Sequence, residues 1–592
     1  MGRYKALMTI FFGLAVTLFF ALAYPHHLHF QEQYQLFLFE GSYVREVLSV
    51  PGGFADLLGR FCTQFFLYAR VGAVIIGVLL AVVQLMSARL VGWNRQYGLS
   101  FLPAALLWIF LLDENALLGG VWALILVMLA AWDIGRIANP TVRSLVAMVC
   151  APLLYWMSGP AAFLFVLLVF LDEARRGTFV SRCISVVTVG VLCVLPAVLP
   201  HFVSMSAARL WQGVHYTRYP DAFPMWLWLA TGSVAVLSML HLFVKRWHES
   251  EQRWVRPVVS ALIALVVVAL GVRVKMNPRT EQVMAYDYMA RNQQWNRILQ
   301  TADHQMPDNP LMVTALNLAL GMKGLMADNM FRYVQNGVEG LLPEFVSDPV
   351  SPLTTSEAYY QLGMINTAQR FVFEAQEAIP DYQKSGRCYK RLAETNLIVG
   401  NYPVARKYLS ALSHTLFYRT WANETMKLLA DDEQVRSHPE YGRLRSCIVE
   451  EDYFYSDRDL SAMLGRLFLA NRRNRLAFEY LEASYLLSKD IDSFVARFPL
   501  SESIGYPRFP LAFQEGLLLW WSREHTAQEQ MPPGIDRATF RRLNDFYTLT
   551  NRKAPLEQIE QRFGQTYWYY YFFVKNVKNY HTTPQDHHPS TS

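Results

Sequence analysis

Between residues 6 and 274 the chain carries about nine apolar segments, and after them no further one long enough to cross a bilayer. That discontinuity limits the fold more than any motif does. A span needs about 20 mainly apolar residues to cross a hydrocarbon core of about 30 Å. In lipid every backbone polar group must be satisfied internally, so runs that are apolar without alternation read as helices. The segments are 6–24, 71–90, 99–112, 117–132, 145–158, 161–171, 184–199, 225–244 and 258–274. The first is not read as a cleavable signal peptide: its apolar core is long, and it is followed by Pro25-His26-His27 without a small-x-small site.

Charge gives the expected orientation. Of the 54 Lys and Arg and 48 Asp and Glu, about 20 basic and about 12 acidic residues precede residue 276. Arg3 and Lys5 precede the first segment, Arg89 and Arg95 follow the second, and Arg136 and Arg143 follow the fourth. Arg175, Arg176 and Arg182 follow the sixth, and Lys245, Arg246, Arg253 and Arg256 the eighth. All of these fall on one side if the N-terminus is cytoplasmic, which is the positive-inside pattern of a bacterial inner membrane protein and not a nucleic-acid surface. An odd number of spans then places everything from residue 277 onward in the periplasm. The pair around Ser158-Gly159-Pro160 could be a re-entrant hairpin, which leaves that parity unchanged; merging the pair into one span would reverse it.

The outward loops hold the residues able to do chemistry. In the loop 25–70, Phe54, Leu57, Leu58, Phe61 and Phe65 recur at helical spacing, with Asp56, Arg60 and Gln64 on the opposite stripe. This reads as an amphipathic helix lying on the membrane surface. Glu32 lies early in the same loop, Asp113 and Glu114 abut the third apolar run, and a later loop, 201–224, holds His201, Arg209, His215 and Arg218 among aromatics. Taken singly, each is an ordinary solvated carboxylate or a headgroup anchor. Taken together, they are carboxylates and cations at the same ends of successive spans.

That layout resembles the GT-C class of membrane glycosyltransferases. The resemblance implies that Glu32 takes the place of the first catalytic acid, that Asp113 and Glu114 take the second, and that His201, Arg209 and Arg218 grip the phosphate of a polyprenyl-phosphate-linked sugar donor. The first acid is a Glu within Gln31-Glu32-Gln33 and no Asp-x-Asp occurs in residues 1–275, so a divalent metal ion is left open as a cofactor. The turn Pro51-Gly52-Gly53 and the run from Gly59 to Phe66 also resemble an uncharacterised family of Bacteroidota membrane proteins.

The second half reads as helical repeats. In 389–409, Tyr389, Leu392, Ala393, Gly400, Tyr402, Ala405 and Leu409 follow a TPR-like pattern, in which small residues let paired helices approach. Leu464, Gly465, Phe468, Ala477 and Leu481 repeat it, and Ala368, Ala375 and Pro380 suit the second helix of another unit. The aromatic run after Gln565 reads as a further helix, either a buried cap or a docking face. Of six cysteines, Cys388 and Cys447 are the pair able to form a disulfide in an oxidising compartment. His26, His27 and His29 are a weak metal motif, and no phosphate-binding loop, HExxH or GxSxG motif occurs.

The expected fold is therefore all-α: a polytopic helical membrane domain over 1–275 with about nine transmembrane helices, a TPR-like α-solenoid outside the cytoplasm over 276–580, and a disordered tail over 581–592. Two functions fit it. One is a GT-C-like transferase whose partners are membrane lipids, a polyprenyl-phosphate donor and a protein or glycan acceptor at the repeats. The other is a non-catalytic scaffold for an envelope complex.

Overall fold

The computed structural model describes residues 3–91, 97–244, 255–343, 351–449, 459–523 and 534–575. Arg95, Lys245, Arg246, Arg253 and the tail 581–592, with His587 and His588, lie outside the described residues. Among the described residues the chain is all-helical, apart from one isolated bridge between Ala116 and Thr217. It divides into two compact units. The first comprises Met1–Glu281 together with Pro380–Gly386 and Ala411–Trp421; the second is Gln282–Ile379, Arg387–Ser410 and Ala422–Ser592. Two short pieces of the later sequence therefore belong to the first unit.

In the first unit, five helical stretches are long and apolar enough to cross a membrane: Lys5–Ala23, Ala69–Leu90, Leu118–Gly135, Pro140–Arg176 and Phe179–His201. The fourth is two antiparallel arms. Helices Pro140–Ser158 and Ala162–Arg176 meet at a short 3-10 turn, where Gly159 takes φ +66°. At 1.5 Å per residue, 30 residues of straight helix would separate Arg143 from Glu173 by about 45 Å; instead Arg143 Nε lies 2.5 Å from Glu173 Oε1, with both side chains buried. Tyr216 pins the turn by donating its hydroxyl to the Ser158 carbonyl and accepting from the Ala161 N–H at 3.0 Å. The expected segments 145–158 and 161–171 are therefore separate arms. The third expected segment contains helix Leu102–Phe110, whose 9 residues include 8 that are buried. With the 3-10 turn Tyr97–Phe101 directly before it, this apolar helical stretch runs Tyr97–Phe110, shorter than the five above.

The helix Gly53–Thr63 has its amphipathic faces arranged opposite to a surface helix. Asp56, Arg60 and, just beyond the helix, Gln64 are buried, while Phe61 is exposed and Leu57, Leu58 and Phe65 are half-buried. Its polar stripe faces protein because Arg60 pairs with Asp56 at 2.7 Å and His215 Nδ1 approaches the same carboxylate at 3.6 Å. The apolar stripe is the one left outward, which suits contact with acyl chains. Close approach to helix Leu118–Gly135 depends on Gly59: a Cβ there would lie 2.5 Å from the Gly119 backbone nitrogen. Because backbone cannot swing aside, Gly59→Ala is expected to cost about 1–3 kcal/mol, read as a lowered thermal midpoint of the detergent-purified protein.

The second unit is built of successive helical pairs. Ser351–Leu362 pairs with Ile365–Glu377 and Leu460–Ala470 with Arg475–Leu487; Gly386–Ile398 and Tyr402–Ser413 pair over the residues that belong to this unit. Gly363 (φ +95°) and Gly400 (φ +84°) occupy tight turns that a side chain would strain. Across those turns Tyr359 meets Phe371 and Tyr389 meets Tyr408, with ring centroids 5.0 and 5.2 Å apart. Leu392, Ala393, Ala405 and Leu409 are buried, as the small-and-large pattern expects. Cys388 and Cys447 are both free thiols: Cys388 packs among Leu353, Val372, Ala375 and Leu392, whereas Cys447 lies beside Gly363, so the disulfide that an oxidising compartment would allow is not formed.

The aromatic helix Tyr567–Phe573 caps this unit. Tyr567 and Trp568 are fully buried, the Tyr567 N–H donates to Glu515 Oε2 at 2.7 Å, and Trp568 Nε1 donates to the Glu515 carbonyl at 3.0 Å. Burial pushes the Glu515 carboxyl up to about 8, although the Tyr567 amide lowers it. A folded pKa above the unfolded value of about 4.3 means that this group's contribution is full below the unfolded value and lost as pH rises through the folded one. Glu515→Gln, which copies the protonated form, is therefore expected to match the wild-type thermal midpoint near pH 4.5 and to exceed it increasingly up to about pH 8. A constant difference across that range would show that Glu515 stays protonated or charged throughout.

Candidate functional site

Proline at the first position starts the short helix Pro25–Glu32, and its N-terminus is closed by a carboxylate from far along the chain. Glu281 accepts from the His26 and His27 amides at 2.7 and 2.9 Å, the charge arrangement a helix N-terminus favours. Burial pushes the Glu281 carboxyl up to about 8 even so, with the two amides pulling the other way. One face of the helix is fixed to the turn 111–116. His27 Nε2 lies 3.0 Å from the Leu111 carbonyl and Gln31 Nε2 donates to the Ala116 carbonyl at 3.2 Å. His27 is held neutral by burial, which lowers it to about 4. At the end of the helix Glu32 is 4% exposed, and its Oε1 accepts from the Tyr418 hydroxyl at 3.0 Å.

The same turn carries Asp113 and Glu114. Asp113 Oδ1 accepts from the Asn115 N–H at 2.9 Å, and its Oδ2 meets Lys275 Nζ at 3.3 Å. Burial pushes Glu114 upward; Arg218 opposes this and Asp113 adds to it. Arg218 is anchored by its own N–H to the Asn115 carbonyl at 2.8 Å, and the bridge between Ala116 and Thr217 continues that contact. Its guanidinium lies over the Tyr34 and Phe30 rings, 4.2 and 5.1 Å from their centroids, and is 2% exposed. Burial lowers its pKa, while Tyr34, Tyr219, Glu114 and Asp113 raise it; a guanidinium stays charged under such a shift. Among the described residues its Nε and Nη2 are buried and find no acceptor.

Asp113, Glu114 and Arg218 thus belong to one region, since both carboxyls raise the pKa of the Arg218 guanidinium; Glu32 lies in sequence between Phe30 and Tyr34, the rings on which Arg218 stacks, and its own hydrogen bond is to Tyr418. Arg209 is committed elsewhere. Its guanidinium forks onto Asp381, with Nη1 to Oδ1 at 2.9 Å and Nη2 to Oδ2 at 2.5 Å. His201 sits exposed on the 3-10 turn Leu199–His201, away from these contacts. Among the described residues no three His, Cys, Asp or Glu converge as a metal-holding group, and His27 is occupied by the 111–116 turn.

A family model matches residues 2–574, nearly the whole chain. The chain belongs to DUF6057, a family of unknown function. No curated protein and no solved structure matches it. For this DUF6057 chain, then, the site has to be read from its own chemistry. Sequence reasoning missed Glu281, Tyr418 and Asp381, each more than 150 residues from the group it holds. His27 and Gln31 carried a local signal, an i, i+4 pair on one helix face, but were considered only as metal ligands or loop polarity.

Proposed function

We propose that this protein is a GT-C-like glycosyltransferase of a bacterial inner membrane, taking a sugar from a polyprenyl-phosphate-linked donor on the periplasmic face. The observation that carries the reading is Arg218: a buried guanidinium clamped by two rings, with two nitrogens facing no protein acceptor, beside a pair of carboxyls. An Arg fork in a low-dielectric setting is suited to the phosphate of a departing lipid. In the transfer, the acceptor oxygen attacks the anomeric carbon and the bond from that carbon to the phosphate oxygen breaks. The acceptor's proton passes to a carboxylate, and the polyprenyl phosphate leaves paired with Arg218. Glu32 is assigned the base and Glu114, with its raised pKa, the second acid; Asp113 holds Lys275 at the rim. Arg209 and His201 take no part.

The reading includes the nine-span topology with a cytoplasmic N-terminus, and it treats the paired helices of the second unit as a TPR-like array offering a surface to a protein or glycan acceptor. The test is the envelope glycan profile of cells carrying Glu32→Gln or Arg218→Gln beside a deletion strain, with protein level checked. Loss of the same glycan in the deletion and in both variants supports the transferase. A deletion phenotype that both variants lack would move the function to the repeats, as a membrane-anchored scaffold.

A further inference from the structure

At the opposite ends of several membrane helices from Glu32 lies a cleft of about 300 Å³, lined by Arg89, Arg136, Arg143, Arg175 and Arg176. These come from four helical elements: the end of Ala69–Val91, the cap of Leu118–Gly135, the first turn of Pro140–Ser158 and the last turn of Ala162–Arg176. Some of the charge is already spent. Arg143 is buried against Glu173 at 2.5 Å, and Arg176 grips Asp172 at 2.6 Å while also donating to the Gly135 carbonyl. Arg136 keeps only a loose, exposed contact with Asp133 at 3.9 Å. Among the described residues Arg89 and Arg175 pair with no carboxylate.

A positive-inside rim accounts for arginines at helix ends, but not for their convergence on a cavity. Arg89 and Arg136 both lie over the Trp132 ring, 5.2 and 4.9 Å from its centroid, so an aromatic surface holds two guanidinium groups at the cleft wall. Leu90, Leu168, Val169 and Leu171 supply an apolar portion of the lining. The volume stands at the lower end of the about 300–1,000 Å³ usual for small-ligand sites, which fits a headgroup and not acyl chains. Excess guanidinium selects an anion with several acceptor oxygens, and an apolar wall continuous with membrane helices selects one carried on a lipid.

We propose that this cleft binds the phosphate headgroup of an anionic glycerophospholipid from the leaflet on the side of the N-terminus. The site is independent of Glu32 and Arg218, and nothing in the proposal depends on the transferase reading. The test is native mass spectrometry of the full-length, delipidated protein titrated with phosphatidylglycerol and with phosphatidylcholine. Wild type is expected to prefer phosphatidylglycerol, and the double variant Arg89→Gln, Arg136→Gln to lose about thirtyfold of that binding. Because both side chains are exposed, folding is expected to survive; size-exclusion elution checks it, and Arg175→Gln offers a second, milder variant with a loss in the same direction. Equal retention of the two lipids by wild type, or an unchanged preference in both variants, would overturn the proposal. So would complete displacement of phosphatidylglycerol by millimolar inorganic phosphate, which would make the ligand a free phosphate.

Discussion

Cells carrying Glu32→Gln are expected to lose the glycan that the deletion strain loses, with transfer reduced by about 10²–10⁴-fold, the usual contribution of a positioned base. The substitution is a stringent one. Gln still presents a carbonyl oxygen to the Tyr418 hydroxyl, so the 3.0 Å contact and the packing of a 4% exposed side chain can persist while the basic oxygen is removed. Tyr418→Phe is the companion variant: it deletes the hydrogen bond and leaves the carboxylate. A base at Glu32 predicts a large loss in the first and a small one in the second. Equal, modest losses in both would make the pair a structural latch and end the catalytic assignment. Glu281→Gln keeps an acceptor for one of the His26 and His27 amides and turns an NH2 toward the other, so it is expected to loosen the start of the helix Pro25–Glu32 without removing the carboxylate of Glu32.

Arg387→Met should produce the largest loss of stability in the second unit, about 3–5 kcal/mol, because it strands buried carboxylates and does not replace a whole ion pair. Arg387 forks onto Asp287, with Nη1 to Oδ2 at 2.7 Å and Nη2 to Oδ1 at 3.0 Å, and reaches Glu357 at 3.1 Å. Arg391 takes the other oxygen of Glu357 at 2.5 Å and Glu394 at 2.8 Å, and lies over the Tyr360 ring at 3.5 Å. Burial raises Asp287, but Arg387 and its hydrogen bonds outweigh it, so the folded carboxyl stands below its usual value. The sign follows: in wild type this contribution is present above the unfolded value of about 3.9 and lost as pH falls through the folded one. Without Arg387, burial is opposed only by the pull of Arg291 and the Thr354 hydroxyl's hydrogen bond at 2.8 Å, the Asp287 pKa rises, and the variant should regain stability on mild acidification. Thermal midpoints of the full-length protein at pH 7 and pH 5 read this directly: the variant's deficit shrinks at pH 5. A deficit that is small and the same at both values would mean that the cluster is hydrated and weakly coupled.

The helical class was legible in the sequence because it rests on local periodicity. Apolar runs mark the helices Arg3–Leu18, Ala69–Val91 and Leu118–Gly135, and the glycine between Ile398 and Tyr402 marks a turn with positive φ. Local pattern also singled out Glu32, Asp113, Glu114, Arg209 and Arg218 as candidates. It gave no way to tell Arg218 from Arg209, since the difference lies in Asp381, 172 residues on. Nor could it orient the helix Gly53–Thr63. An amphipathic pattern names two faces without saying which one meets protein, and here a buried Asp56–Arg60 pair and the glycine contact with Gly119 turned the polar face inward. Of the alternatives left open around Gly159, the Arg143–Glu173 pair, which no spacing rule anticipates, rules out merging the two segments into one span.

The two late segments of the first unit impose an order on how the protein is made. Residues 33–40 are held by the Lys384 carbonyl, which accepts from the Leu36 amide at 2.9 Å, and by the His414 carbonyl, which accepts from the Phe39 amide at 2.8 Å. Phe417 then packs on Phe65 and Tyr68, with centroids 5.5 and 5.3 Å away. A ribosome that has finished the last apolar helix has therefore produced a membrane half whose first loop still lacks these partners, and must add well over a hundred further residues before they arrive. A stop codon shortly after Glu281 would leave inserted helices with an unfinished loop 25–70, a natural substrate for membrane quality-control proteases. The first unit can therefore be completed only once the chain has been made as far as Trp421, with much of the second unit already synthesised.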